Sequence, residues 1–175
     1  MGPHPPHRFG EIMKRLNIEA VNALLFESTG ELTRAKEMLD KVEYAKAIHA
    51  AKNSIELRIK AMYPLVGLDP PHTHDAITGE RGQKPDAFGE VIKRLDFGND
   101  LWTKNGIMRL PWLGKMWASA HIFSVYGYGG VPASSLFDPE DARIALDYAG
   151  KVEDAITALI DSVKQGRIRV LSEGA

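Results

Sequence analysis

The segment DPEDARIALDYAGKVEDAITALIDSVKQG, residues 138–166, constrains the fold more than any other stretch of the chain. Asp138 is a helix-capping residue, Pro139 suits the first helical position, and Glu140 and Asp141 oppose the helix dipole. Ala142, Ala145, Ala149, Val152, Ile156, Leu159 and Val163 then recur in steps of three and four. Gly166 is a stop signal, with Lys164 near the carbonyl end. A helix with so narrow an apolar stripe, and with small residues in its first half, needs other helices packed closely on it.

The rest of the chain supplies them. Ile12, Leu16, Ala20, Ala23 and Leu24 fall at helical spacing, and Leu32, Ala35, Met38 and Leu39 do so beyond Gly30. Gly30 leaves open one kinked helix or two. In the next segment Ile48, Ala51, Ile55, Ile59 and Met62 line one face, while Ala50, Leu57 and Ala61 widen it. That pattern predicts a helix enclosed over much of its circumference and ended near Pro64. A short helix is expected at 87–95, and another from Pro111 carries Trp112, Leu113, Met116, Trp117, Ala120 and Phe123. No run of alternating strand residues occurs. The expected class is all-α, an antiparallel bundle of about five helices.

With 175 residues the chain is sized for one domain. We assign 1–10 as a flexible lead-in, 11–166 as one helical domain with a loop-rich segment at 79–111, and 167–175 as a tail. The net charge is −1, with 22 basic and 23 acidic residues, which removes the general electrostatic case for a DNA or RNA binder but leaves a local patch open. Cysteine is absent, which excludes disulfides, thiolate catalysis and Cys-based metal sites. No stretch approaches the roughly 18 apolar residues of a membrane span, so no membrane association is expected and a cytoplasmic location is the natural default.

Four stretches carry candidate chemistry. In LDPPHTHDAITGE, His72, His74 and Asp75 suggest metal ligands, but they follow Pro70 and Pro71 and no second cluster supplies further ligands. We therefore expect no metal and no cofactor, and read Thr73 or Asp75 as the cap of a following helix. Glu56 and Lys60 stand one helical turn apart in the favourable order, either as a surface pair or with Lys60 facing a groove where it meets phosphate. YGYGG, 126–130, follows a helix and lacks the dinucleotide-loop order, so Tyr126 and Tyr128 are candidates for stacking on a base or for packing as a lid. The tail residues Lys164, Arg167 and Arg169 form a small basic patch or a solvated end.

The alanine-rich helix with Ser54, Ile55, Glu56, Lys60 and Ala61, the Thr73–His74–Asp75 junction, and YGYGGVP before an aspartate-capped helix together resemble the HEPN domain family. The resemblance covers roughly 31–165. It implies a four-helix up-and-down core plus extra short helices, commonly dimeric and widespread in prokaryotes. It implies two roles: ribonucleases, often toxins of toxin–antitoxin pairs, with an Arg, four to six intervening residues and then a His, and non-catalytic modules that bind nucleotide, RNA or a nucleotidyltransferase partner. None of the six histidines has an arginine at that distance upstream. Lys115 before His121 is the nearest approximation, and lysine does not replace the planar arginine fork. The resemblance thus implies a homodimeric, non-catalytic module with a nucleotide, RNA or nucleotidyltransferase at Glu56, Lys60, His74, Tyr126 and Tyr128. The alternatives are a metal-independent endoribonuclease using Lys115 and His121, or a purely structural dimerisation bundle.

Overall fold

The computed structural model describes residues 17–79 and 87–171. The lead-in 1–10, the start of the expected first helix with Ile12 and Leu16, loop residues 80–86 and the last four residues lie outside the described residues.

The fold is all-α. Helix α1 (Ile18–Asp40) runs unbroken through Gly30, whose missing side chain faces open space, so the helix tolerates the glycine without a kink or a second cap. Asn17 caps it by accepting the Ala20 amide hydrogen. A three-residue turn with Val42 at φ +64° reverses the chain into α2 (Tyr44–Leu65). Fifteen of the 22 residues of α2 are buried, which bears out the enclosed helix expected from its alanines. Helix α2 packs on α1 and on the last helix, and the bundle is assembled around it. Pro64 lies inside its final turn and the helix stops one residue later.

The expected helix start at Thr73–Asp75 is corrected. Asp75 Oδ1 accepts the amide hydrogens of Ile77 and Thr78 at 3.0 and 2.9 Å, and these bonds close a turn in place of a helical cap. Helix α3 (Ala87–Lys93) follows, then β1 (Leu95–Asp96). Helix α4 (Leu101–Met108) stands inside the segment expected to be loop-rich, and the single helix expected from Pro111 is two short ones, α5 (Leu110–Ala118) and α6 (Ala120–Tyr126). Their junction residues, Arg109 and Ser119, keep right-handed helical dihedrals, so the helical phase carries through. Gly127 at φ +72° ends the run, because a Cβ there would lie 2.0 Å from the Val131 carbonyl oxygen. A short α7 (Ala133–Leu136) precedes α8 (Pro139–Lys164).

Helix α8 begins as its sequence demands. Asp138 accepts from the Glu140 and Asp141 amides, and Asp141 accepts from the Asp138 amide, a reciprocal cap. Ala142, Ala145, Ala149 and Val152 are wholly buried, where small side chains let α8 approach α2. Arg58 on α2 reaches Glu153 on α8 at 2.5 Å and Thr29 on α1 at 2.9 Å, tying the three long helices together. Past α8, Ile168 is buried and β2 (Arg169–Val170) pairs antiparallel with β1, Leu95 opposite Val170. Arg167 and Arg169 are engaged there, with Ser162 and Asp96 respectively.

Candidate functional site

Lys52, Glu56 and Lys60 stand at successive i, i+4 positions and form one polar stripe on the otherwise apolar α2. Lys52 Nζ meets Glu56 Oε2 at 2.5 Å and Lys60 Nζ meets Oε1 at 2.7 Å, so a single carboxylate faces two ammonium groups. All three are withdrawn from water: their side chains are 1%, 11% and 12% exposed. Burial works to raise the Glu56 carboxyl, but the hydrogen bonds and charges of Lys52 and Lys60 outweigh it and hold the group below its ordinary range. The carboxylate is ionised at neutral pH, and the trio retains an excess positive charge.

The Asp75 turn brings His74 over this stripe. His74 Nδ1 lies 3.3 Å from Lys52 Nζ and 3.2 Å from Glu56 Oε2. Unprotonated, that nitrogen accepts from Lys52; protonated, it donates to Glu56. Helix α6 supplies His121, whose ring stacks on His74 at 4.3 Å and meets His49 of α2 at 5.3 Å. His121 is shifted down by burial and then by the positive charge of Lys52; His49 is shifted down by burial and by His121 and Lys52. Both are neutral bases near pH 7. Among the described residues, His49 Nδ1, His121 Nδ1 and Trp117 Nε1 are buried polar atoms with no hydrogen-bond partner. Native interiors leave few such atoms, and each is a place where a water or a ligand atom can be received.

Lys52, Glu56, His74 and Trp117 line one small cavity together with Ile55, Ile59 and Gly114. Its volume, about 10 Å³, holds a water-sized group. Anything larger meets the cluster from its solvent edge, where the His74 side chain is 61% exposed. Among the described residues no three His, Asp or Glu side chains are arranged to hold a metal ion.

The structure thus brings Glu56, Lys60, His74 and His121 together. Lys115 is exposed and acts on Asp75, which it helps to keep ionised; the cation that faces His121 is Lys52. His72 is exposed, and no contact joins it to the cluster among the described residues. Tyr126 and Tyr128 stand apart, exposed on the turn that frames an open concavity of about 420 Å³ closed by Gly127, Val131 and Pro132. Tyr126 is five residues beyond His121 on α6, a rise of about 7.5 Å. Lys52, His49 and Trp117 were not among the site residues expected from the sequence. Lys52 was recoverable, because it precedes Glu56 by one turn just as Glu56 precedes Lys60.

The HEPN domain family model matches residues 21–103, a span that includes Lys52, Glu56, Lys60 and His74 and stops short of His121. Among solved structures, the crystal structure of TT1696 from Thermus thermophilus is similar at a TM-score of 0.55 and 19% identity, covering 79% of this chain and 96% of that one. At that identity the likeness is one of fold. No curated protein matches the chain.

Proposed function

We propose that this chain, whose residues 21–103 match the HEPN domain family model, is a nucleotide- or RNA-binding module lacking the family's Arg–His catalytic motif. One observation carries this reading: a single carboxylate set against two nearly buried lysines, with a histidine at the open edge. A phosphate approaching that edge meets Lys60 and His74 as hydrogen-bond donors and Lys52 as an underlying charge, while Glu56 holds both lysines in place. The open concavity at Tyr126 and Tyr128 offers ring faces for the base, and Tyr126 ends the helix that carries His121. A homodimer, or a complex with a nucleotidyltransferase, is the assembly in which we expect this module to act.

Calorimetry with AMP, with adenosine and with a short RNA tests the reading. AMP and RNA are expected to bind and adenosine to bind far more weakly. Lys60→Ala should weaken AMP by tenfold or more, the value of one charge-assisted hydrogen bond. Absence of binding at millimolar AMP and RNA would sink it.

A second reading is a metal-independent endoribonuclease. It is favoured by His121, a neutral imidazole with an unpartnered Nδ1 beside Lys52, which suits a general base. Lys52 takes the cationic place first assigned to Lys115. Purified protein should then cut RNA and His121→Ala should not; equal cutting by both removes the reading.

A further inference from the structure

Residues 101–137 contain no aspartate or glutamate, yet carry Lys104, Arg109, Lys115 and all three tryptophans, within a chain whose net charge is −1. The helical phase of α4–α6 turns Thr103, Ile107, Leu110, Leu113 and Ser124 inward. Side chains outside that inward arc face solvent: Trp102 is 86% exposed, Trp112 56% and Tyr126 74%. Met116 and Ile122 lie exposed between them. A helix that is apolar on its outer face as well as its inner one is normally covered.

The charges say by what. Among the described residues, Lys104 and Arg109 have no ion-pair partner, and the acid that faces Lys115 is Asp75 from the neighbouring turn. A segment that carries cations and no acid of its own favours a polyanion over a second copy of itself. Flat rings spaced along a cationic ridge of about 36 Å match single-stranded nucleic acid, whose bases stack without sequence preference. The ridge also leads into the cluster described above: Trp112 and Trp117 both rest on Tyr148, and Trp117 forms part of the wall around Lys52 and His74.

We propose that the outer face of α4–α6 is a stacking track for a single-stranded polynucleotide, with bases on Trp102, Trp112 and Tyr126 and phosphates on Lys104 and Arg109. The track delivers the strand to the Lys52–Lys60–His74 cluster, and so rests on the reading of that cluster as a phosphate site. The ligand of this protein is then a strand in preference to a free mononucleotide.

The test is fluorescence anisotropy at low salt with labelled oligouridylate and oligothymidylate of about twelve nucleotides, a length within the range of single-strand sites. Calorimetry with AMP runs beside it. Trp102→Ala and Trp112→Ala, at exposed positions and checked for folding by circular dichroism, should each weaken both oligomers about tenfold. Lys104→Glu with Arg109→Glu should reduce the salt slope by roughly two phosphate contacts. None of these should alter AMP affinity, whereas Lys60→Ala should weaken AMP and oligomer alike. Oligomers that bind no more tightly than AMP, or that ignore both tryptophans, overturn the track and leave the cluster standing. Tryptophan-dependent oligomer binding that Lys60→Ala leaves unchanged keeps the stacking face but overturns its delivery of the strand to the cluster. Two further outcomes overturn the track by giving the face to another occupant. One is Trp112-dependent binding to phosphatidylglycerol vesicles without oligomer binding; the other is a dimer by light scattering that Trp112→Glu converts to monomer.

Discussion

Replacing Glu56 by glutamine strikes the centre of the polar cluster. The change keeps shape and an acceptor oxygen but leaves Lys52, with its side chain 1% exposed, facing no opposing charge. The variant must either keep a buried unpaired cation or release the Lys52 proton on folding. Proton release sets the ceiling. Taking a lysine from its ordinary value of about 10.4 to pH 7 requires about 4.6 kcal/mol. Removing one partner of a buried pair sets the lower part of the range, about 3 kcal/mol. Glu56→Gln is therefore expected to lose about 3 to 4.6 kcal/mol at pH 7. Urea unfolding followed by far-ultraviolet circular dichroism measures the loss. The same experiment at rising pH tests the cause. Where folding releases the Lys52 proton, the unfolded state binds more protons and the deficit shrinks as pH rises, by up to about 1.4 kcal/mol per unit; a retained cation leaves the deficit unchanged. A loss below about 1 kcal/mol refutes the view of Lys52 as a buried charge held by Glu56.

Three further outcomes are expected. His49 and His121 have depressed values in the fold, so near pH 6 the unfolded chain binds more protons; wild-type stability should fall as pH drops below the ordinary histidine value of 6.5, and His121→Gln should flatten that slope. Asp138→Ala removes the reciprocal cap of α8 and should cost about 1 kcal/mol in thermal or urea unfolding, whereas Gly30→Ala, in the open middle of α1, should stabilise by about 1 kcal/mol. Gly127→Ala meets the Val131 carbonyl as well as the positive φ, and should destabilise by about 1–3 kcal/mol, visible as lost amide protection at Tyr128 and Val131.

What could be read without coordinates was local. Helix α8 was legible to its caps because its signals lie within one turn of each end. The enclosure of α2 was legible from its alanines. The continuity of α1 was not, because the glycine penalty of about 1 kcal/mol is smaller than what packing against α2 supplies. The Thr73–Asp75 junction misled because an aspartate closing a turn and an aspartate opening a helix make the same first hydrogen bonds to amides two and three residues on. In the cluster, the Glu56–Lys60 spacing was visible, but the approach of His74 and His121 depends on how a turn and a distant helix fold back over α2. Periodicity carries no information about that.

The clamp at the far end of α8 bears on the order in which the molecule assembles. Asp100 accepts from Thr103 and from Ser162, 62 residues away, and Asp96 pairs with Arg169 across 73 residues. Such loops cannot reward the chain until both ends are in place. The α1–α2 hairpin, closed by three residues, needs no such wait. Residues 95–108 should therefore acquire amide protection last and lose it first in native fluctuations. Trp102 stands on this late-closing segment, so its orientation follows the state of the clamp, while Lys52, Glu56 and Lys60 stay fixed on a helix that has already formed.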